Sequence, residues 1–268
     1  MAETIATTEQ RRRSPLHELG ASIVGPVLSF VVLLAVWEFL IAAFKVPEFL
    51  VPPPSKFFAR LFTARDLMWA QTLVTSYEVV LGFAVAALIS IPLALLIASV
   101  SFVERAVYPI LVFFQLIPKI AIAPLFIVWF GFTTFPKILL TFLLCFFPVL
   151  VDSITGFKAI DPRLLYITRS MGASRWQTFR FIRLPAAMPF IFSGLKVSIV
   201  FASTGAIVGE FVGANEGLGY LLLRGTSYMD TPLIFAALVA LSVMGLVFSY
   251  LVQGSEQLIM PWQNKKDH

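Results

Sequence analysis

Long apolar stretches separated by short polar ones dominate the chain. The stretches cover residues 21–44, 70–99, 106–131, 135–157, 186–213 and 231–256. Each is close to the ~20 residues that a helix needs to cross ~30 Å of hydrocarbon. The pattern therefore predicts an all-α integral membrane protein with about six transmembrane helices.

Composition agrees with a membrane protein. Hydrophobic residues make up 59% of the 268 residues and charged residues only 13%, whereas a water-soluble domain has roughly a quarter of its residues charged. A net charge of +5 would suggest nucleic acid as the partner of a soluble protein. In a membrane protein it is explained by Lys and Arg in cytoplasmic loops, so we expect the lipid bilayer and no nucleic acid as a partner.

The third apolar stretch is the least regular. Pro109, Pro118 and Pro124 divide it, and each proline lacks the N–H that a helix interior requires. We expect these prolines to cut the segment into pieces. Counted as one broken crossing, it gives six spans and places both termini on the same side of the membrane.

Basic residues are unevenly distributed between the two sides of these spans. With a cytoplasmic N-terminus, the cytoplasmic segments contain Arg11, Arg12, Arg13, Arg105, Lys158, Arg163, Arg169, Arg175, Arg180, Arg183, Lys265 and Lys266. The opposite segments contain only Lys45, Lys56, Arg60, Arg65 and Arg224. The positive-inside rule therefore predicts cytoplasmic tails at 1–20 and 261–268, on either side of a single membrane domain at 21–260.

Two segments on the opposite side predict short helices. Four prolines in "KVPEFLVPPPSKFFARLF" prevent regular helix through Pro54. From Ser55 onward, basic and aromatic residues alternate as on an amphipathic helix at the membrane interface. The segment "NEGLGYLLLRGTSYMDTP" predicts a second short helix, re-entrant or on the surface, after its two glycines.

The sequence offers few groups for catalysis or metal binding. Cys145 is the single cysteine, and His17 and His268 lie near opposite ends of the chain, so neither a disulfide nor a zinc cluster is expected. No G-x-S-x-G or H-E-x-x-H motif supports a membrane-embedded enzyme. The phosphate-binding motif G-x-x-x-x-G-K-[ST] is also missing. We predict no catalytic, cofactor-binding or metal site in this chain.

Local signals between residues 156 and 185 predict two short helices. Asp161 can cap the first, with Pro162 in its first turn, and Gly172 can end it in the left-handed conformation. Ser174 can cap the second and complete a capping box with Gln177.

Leu184-Pro185 is expected to end or kink the second of these helices. A plain interfacial hairpin would explain the segment without any partner protein. In that interpretation its cations face lipid headgroups, while Trp176, Phe179 and Ile182 face the acyl boundary.

The spacing in this segment resembles a known loop motif. Gly172 is followed by nine residues and then Ile182-x-Leu184-Pro185. In the permease subunits of bacterial binding-protein-dependent ABC importers, the cytoplasmic loop reads Glu-Ala-Ala, three residues, Gly, nine residues, Ile-x-Leu-Pro. The present chain has Tyr166, Ile167 and Thr168 at the Glu-Ala-Ala positions, so the ionic contact of that glutamate is missing.

The resemblance extends over most of the chain from Val51 to Trp262. The segments "FLVPPPSKFFARL", "IPKIAIAPLFIVWFGF", "GFKAIDPRLLYITRSMGASRWQTFRFIRLPAAMPFIFSGLKVS" and "GEFVGANEGLGYLLLRG" are similar to successive segments of the nitrate, sulfonate, taurine and bicarbonate branch of these permeases.

Membership of that family implies a type I ABC importer permease in the bacterial inner membrane. Its partners would be a second permease copy, identical or not, two ATPase subunits that bind ATP and Mg²⁺, and an extracytoplasmic substrate-binding protein. The loop at 156–185 would couple the permease to the ATPases. The coupling residues implied by the resemblance are Asp161, Arg169, Gly172, Ala173, Ser174, Trp176, Ile182, Leu184 and Pro185.

Two polar groups lie beside the break in the third span. Gln115 and Lys119 flank it, and a lysine at bilayer depth costs about 2.5–3.5 kcal/mol on insertion scales. Freed backbone at membrane depth is tolerated only in protein or beside a cavity. Both residues are therefore candidates for a substrate pathway, although Lys119 could instead snorkel or pair with an acidic neighbour.

The fifth span has a small, partly polar face. Ser203, Thr204, Gly205 and Gly209 form this face in "STGAIVGEFVGA", and it suits either close helix packing or a pore lining. We treat Ser203, Thr204 and Glu210, which lies near the outer end of the span, as pathway candidates. Lys196 and Asp152 are expected to pair structurally or to snorkel.

The sequence leaves the transported solute open. Lys119 favours a small organic or inorganic anion, such as a sulfonate, nitrate, a taurine-like compound or an aromatic acid, whereas Glu210 argues against one. The family resemblance also allows a pyrimidine-type vitamin precursor. A secondary transporter or channel, which needs no ATPase, is the remaining alternative.

Overall fold

The computed structural model describes the backbone of residues 15–262 and the side chains from residue 24 onward. The predicted tails lie largely outside these residues. The same holds for the side chains of Arg11, Arg12, Arg13, His17, Lys265, Lys266 and His268.

The described residues form helices and contain no strand. The helices are α1 (Pro15–Phe44), α2 (Pro54–Thr63), α3 (Arg65–Ser99), α4 (Ser101–Leu116), α5 (Ala123–Phe130), α6 (Thr134–Lys158), α7 (Pro162–Ser170), α8 (Arg175–Thr178), α9 (Leu184–Gly213), α10 (Leu218–Ser227) and α11 (Thr231–Ile259). A 3₁₀ turn at Lys119–Ile122 precedes α5, and a π-helical turn at Phe179–Arg183 precedes α9.

The predicted number of spans is confirmed. Five helical segments are long and apolar enough to cross a membrane, and α4 with the segment Lys119–Phe130 makes a sixth that is bent by 76°. The break falls at Pro118 alone, so the expectation that three prolines cut this span was wrong. Pro109 lies within α4, and Pro124 lies in the first turn of α5, where a helix has no partner for the missing N–H anyway.

Helix α6 lies between α3 and α9 at the centre of the bundle. The helices approach closely because glycines face α6. A Cβ atom on Gly205 of α9 would lie 2.7 Å from the Cα of Thr141, and one on Gly82 of α3 would lie 2.5 Å from Thr141 Cγ2. Cys145, Val149 and Leu150 of α6 are fully buried in this core.

Ion pairs at the two ends of α6 show which parts of the neighbouring helices lie beside each end. Lys158 Nζ lies 2.5 Å from Glu104 Oε1 at the start of α4, and Lys137 Nζ lies 2.5 Å from Glu78 Oε1 of α3. We call the membrane side that carries residues 159–183 the loop side, and the side that carries residues 214–230 the cap side. The start of α4 and the end of α6 both lie on the loop side. Since α6 spans the membrane, it begins on the cap side. The bent segment that runs from the start of α4 to the start of α6 therefore crosses the membrane.

Helix α1 contacts the rest of the bundle through its cap-side half. The Trp37 ring centroid lies 5.7 Å from that of Phe57 on α2 and 5.5 Å from that of Phe235 on α11. The Glu38 carboxylate accepts a hydrogen bond of 2.7 Å from the Ser55 hydroxyl. The predicted amphipathic helix α2 is confirmed, with Phe57 buried and its start one residue earlier than expected.

Candidate functional site

The first helix of the loop forms as its local signals predict. The Asp161 carboxylate accepts a hydrogen bond of 2.8 Å from the backbone N–H of Arg163 at the start of α7. Gly172 follows the helix with φ +76°, a conformation that side chains with a Cβ disfavour. A Cβ on Gly172 would meet nothing within 4 Å. The constraint at this glycine is therefore the backbone conformation and not lack of space.

The predicted capping box at the start of α8 is also confirmed. The Gln177 N–H donates to the Ser174 hydroxyl at 3.2 Å, and the Ser174 N–H donates to the Gln177 side-chain oxygen at 2.8 Å. Two of the otherwise unpaired N–H groups at this helix start are thus satisfied. Ala173 precedes the box and holds the backbone through an N–H bond to Thr168 O.

The exit from the loop differs in part from the prediction. Leu184-Pro185 does not end the helix, because helical backbone continues from Arg175 to Gly213. The π-helical turn at Phe179–Arg183 directly precedes the proline. A π turn widens the helix and relieves the clash of the proline ring with the carbonyl four residues earlier. The loop is therefore joined to the fifth span by continuous helical backbone.

Side chains of this exit pack onto the membrane core. Phe179 and Leu184 contact a buried cluster that includes Ile97 of α3 and Ile154 of α6. Ile182 and Pro185 are half-buried beside them. The loop exit therefore packs against the loop-side ends of α3, α6 and α9.

The remaining loop surface exposes large apolar side chains among its arginines. Tyr166, Met171 and Trp176 are 78%, 79% and 68% exposed. Large apolar side chains on one exposed surface are typical of sites that contact another protein or the membrane. Tyr166 lies at the position of the missing family glutamate, so it presents an aromatic ring instead of a carboxylate to any partner.

Lys119 stabilises the break in the third span. Its ammonium donates to the Gln115 carbonyl at 3.0 Å, and it lies 4.6 Å from the centroid of the Phe147 ring. Among the described residues it forms no ion pair with a carboxylate. The lysine thus caps a carbonyl at the end of α4, while the Gln115 side chain is exposed.

The small face of α9 divides into two. Gly205 and Gly209 lie against α6, so this part of the face serves helix packing. Thr204 is exposed on another side of the helix. The Ser203 hydroxyl is buried and has no hydrogen-bond partner among the described residues.

Glu210 belongs to a buried polar cluster, which consists of Gln71, Thr75, Glu78, Lys137 and Glu210. Thr75, Glu78 and Glu210 are fully buried, and Lys137 is 7% exposed. The Glu210 carboxylate accepts hydrogen bonds from the Thr75 hydroxyl at 2.6 Å and from the Gly219 N–H at 2.5 Å. In this conformation Glu210 connects α3, α9 and α10; its role in a pathway stays a prediction.

The same cluster holds the start of α10. The Leu218 N–H donates to the Thr75 hydroxyl at 2.8 Å, and the Gly217 N–H donates to the Gln71 side-chain oxygen at 2.5 Å. These N–H groups are unpaired at a helix start. The polar cluster therefore fixes the cap-side helix on the transmembrane bundle.

Sequence reasoning missed four members of this cluster, namely Gln71, Thr75, Glu78 and Lys137. A signal was present, since Glu78 and Lys137 are opposite charges within apolar spans, and intramembrane charges usually pair. The cluster contains two carboxylates and one ammonium, and Glu78 Oε2 has no hydrogen-bond partner within the described ranges. Elsewhere, Lys196 forms an ion pair with Glu256, in agreement with the expected structural pairing.

Sequence comparisons agree with this architecture. The family described as binding-protein-dependent transport system inner membrane component matches residues 90–265. The formylaminopyrimidine transport permease ThiX of Halalkalibacterium halodurans is 34% identical, over 90% of this chain and 96% of the relative. A Bacillus subtilis relative, named "Putative aliphatic sulfonates transport permease protein SsuC", is 28% identical over 96% of this chain and 93% of the relative.

A solved structure confirms the fold. A chain of the MetNI methionine ABC transporter in an inward-facing conformation superposes with a TM-score of 0.57 at 21% identity, over 75% of this chain and 96% of that chain. The predicted type I ABC importer permease architecture is thereby confirmed. The chain belongs to the family of binding-protein-dependent transport system inner membrane components and is an ABC importer permease.

Proposed function

We propose that two copies of this permease enclose one pathway for a small solute in a bacterial inner membrane. Two separate ATPase subunits bind ATP and Mg²⁺ and contact the loop side, which is cytoplasmic along with both termini. A binding protein delivers the solute at the cap side. In this arrangement the ATPase subunits cover the exposed apolar side chains of the loop. Helix α10 lies on the side where the solute enters.

The observation that carries the proposal is the continuous segment Arg175–Gly213. Its first turns follow Gly172 and the Ser174 capping box, and its last turns carry Glu210. A continuous helix transmits a displacement along its length. Movement of the ATPases at the loop therefore reaches the helix that holds α10, and switches access between the two sides of the membrane.

The loop residues take different parts in this coupling. Asp161, Gly172, Ala173 and Ser174 set the shape of the loop. Tyr166 and Met171 present exposed apolar side chains to the ATPase surface, and Arg180 adds a cationic group. Ile182, Leu184 and Pro185 join the loop to the core. A partner with an apolar groove and carboxylates at its rim fits this surface.

The pathway passes the broken third span and the exposed face of α9. Gln115 and Lys119 flank the break, and Thr204 is exposed on α9. Ser203 and Glu210 lie on the same helix, and their polar groups are buried in this conformation. Solute that moves along the exposed face would meet one cation, one amide and one hydroxyl group. Such groups select small polar solutes.

A small organic anion is the first candidate solute. Lys119 carries a positive charge at bilayer depth that no carboxylate neutralises among the described residues, and a sulfonate or carboxylate would pair with it. The second candidate is a pyrimidine-type compound, because the formylaminopyrimidine permease is 34% identical to this chain and the sulfonates permease 28%.

Reconstitution into liposomes with the ATPase and the binding protein tests the transport mode. We expect uptake of radiolabelled solute with ATP and none with an ion gradient alone. Uptake that persists without ATP under an ion gradient would instead identify a secondary transporter. Calorimetric titration of the purified binding protein with taurine and with a formylaminopyrimidine distinguishes the two solute classes.

A further inference from the structure

A cavity of about 560 Å³ lies between the loop and the loop-side end of α3. Arg169, Arg175 and Arg183 contribute three cations to its wall, and Trp176 and Phe179 contribute aromatic rings. Ser99 lies in the last turn of α3 and accepts a hydrogen bond of 3.4 Å from Arg183. Among the residues that the structure describes, no acidic side chain lines the cavity. We call this cavity the arginine pocket.

The described part of the chain leaves these three guanidinium groups without a carboxylate partner. Residues 159–183 contain five arginines and a single acidic residue, Asp161, whose side chain is used to cap α7. The nearby Glu104 and Glu256 are paired with Lys158 and Lys196. Clustered arginines without counter-charge select an anion, and phosphate oxygens suit their planar, paired donors.

The pocket also has an apolar side that a free anion does not need. Leu95, one turn inside the end of α3, forms part of the wall together with Leu165 and Phe179. Because α3 spans the membrane and ends at Ser99, the pocket lies at the depth of the lipid headgroups. An anionic group attached to an acyl chain fits both sets of residues.

We infer that the arginine pocket binds the phosphodiester headgroup of one anionic phospholipid. Arg169 and Arg183 hold the phosphate oxygens, Trp176 packs over the glycerol, and the acyl chains leave along Leu95 into the bilayer. Because the pocket joins α7 and α8 to α3, a bound lipid would hold the loop on the membrane bundle. An acidic side chain of the ATPase could also pair with these arginines. Such a side chain would leave the apolar wall of the pocket without a contact, whereas a lipid fills it.

Native mass spectrometry of the full-length permease tests this inference. Lipid is titrated as phosphatidylglycerol, with phosphatidylcholine as the neutral reference. We expect one phosphatidylglycerol to bind in preference to phosphatidylcholine, and the Arg169→Gln/Arg183→Gln variant to bind it about 25-fold more weakly, from roughly fivefold for each arginine. The Arg105→Gln/Arg163→Gln variant removes the same charge on the same side outside the pocket and should bind as the unaltered chain does.

Any of three other results would overturn the inference. Equal losses in both variants would show that surface charge alone attracts the lipid. Unchanged lipid binding with weaker co-purification of the ATPase would assign the arginines to that partner. Release of bound phosphatidylglycerol by millimolar inorganic phosphate would assign the pocket to a free anion.

Cross-linking of the unaltered chain gives a second test that requires no folded variant. A photoactivatable phosphatidylglycerol analogue should label peptides from residues 165–183. Even labelling around the transmembrane belt would overturn the inference.

Discussion

The Glu210 carboxylate on α9 accepts a hydrogen bond of 2.5 Å from the backbone N–H of Gly219 at the start of α10. Both groups are buried, so the hydrogen bond is protected from water. Loss of either group leaves the other buried polar atom without a partner. The link joins α9, which leaves the loop at residues 159–183, to the short helix on the opposite side of the membrane. Contacts around it can be changed one residue at a time.

Gly217 tests how tightly α10 is held. Its φ is +108°, and a Cβ would lie 2.0 Å from Glu210 Oε1. We expect Gly217→Ala to lower the free energy of unfolding by about 2–4 kcal/mol, since backbone strain and a displaced carboxylate act together. Thermal unfolding in detergent measures the effect.

Gly254→Ala is the matched control for this change, because nothing lies within 4 Å of a Cβ at that position. It should leave the unfolding temperature unchanged or slightly raised. If Gly217→Ala behaves in the same way, α10 does not depend on the contact with Glu210.

Lys137 is the cation of the buried polar cluster. Lys137→Met leaves two buried carboxylates without a counter-charge, and loss of one partner from a buried ion pair costs about 3–5 kcal/mol. We expect a large loss of thermal stability, part of which the double variant Lys137→Met/Glu78→Leu recovers.

The pair Lys158–Glu104 provides the comparison for Lys137. Its side chains are 48% and 30% exposed, and partly exposed pairs contribute about 1 kcal/mol or less. Lys158→Met should therefore cost much less than Lys137→Met. Similar losses for the two variants would contradict the assignment of the cluster as a buried tie between helices.

Lys119 tests the proposed pathway. Lys119→Met removes the positive charge beside the break but keeps a long apolar side chain, so assembly should be maintained while uptake changes at least about fivefold. Lys119→Arg keeps the charge and should retain more activity. Initial uptake rates per reconstituted transporter give the measurement, and a rate equal to that of the unaltered chain would remove Lys119 from the pathway.

Local features of this fold could be predicted from the sequence because their determinants are close together in the chain. The caps at Asp161 and Ser174 and the left-handed Gly172 each depend on residues within three positions. The number of spans follows in the same way from uninterrupted apolar stretches.

Features that depend on helix packing could not be predicted. Glu78 and Lys137 are 59 residues apart, and nothing in their local sequence shows that α3 and α6 bring them together. The π turn before Pro185 is a related case: proline allows a break or a widened turn, and packing of Phe179 and Leu184 on the core favours the continuous helix. From the sequence alone, Gly205 and Gly209 could line a pore or pack against another helix. The position of α6 against both glycines shows that they serve packing.

Coupling through the loop is tested at Gly172. Gly172→Val strains the left-handed backbone, whereas Gly172→Asn tolerates it, and neither side chain meets a neighbouring atom at Cβ. ATP hydrolysis and solute uptake are measured together in liposomes that contain the full transporter. We predict that Gly172→Val keeps membrane insertion and ATP hydrolysis but loses most solute uptake per ATP, while Gly172→Asn keeps the ratio close to that of the unaltered chain. An unchanged ratio of uptake to hydrolysis in Gly172→Val would contradict the role of this loop in coupling.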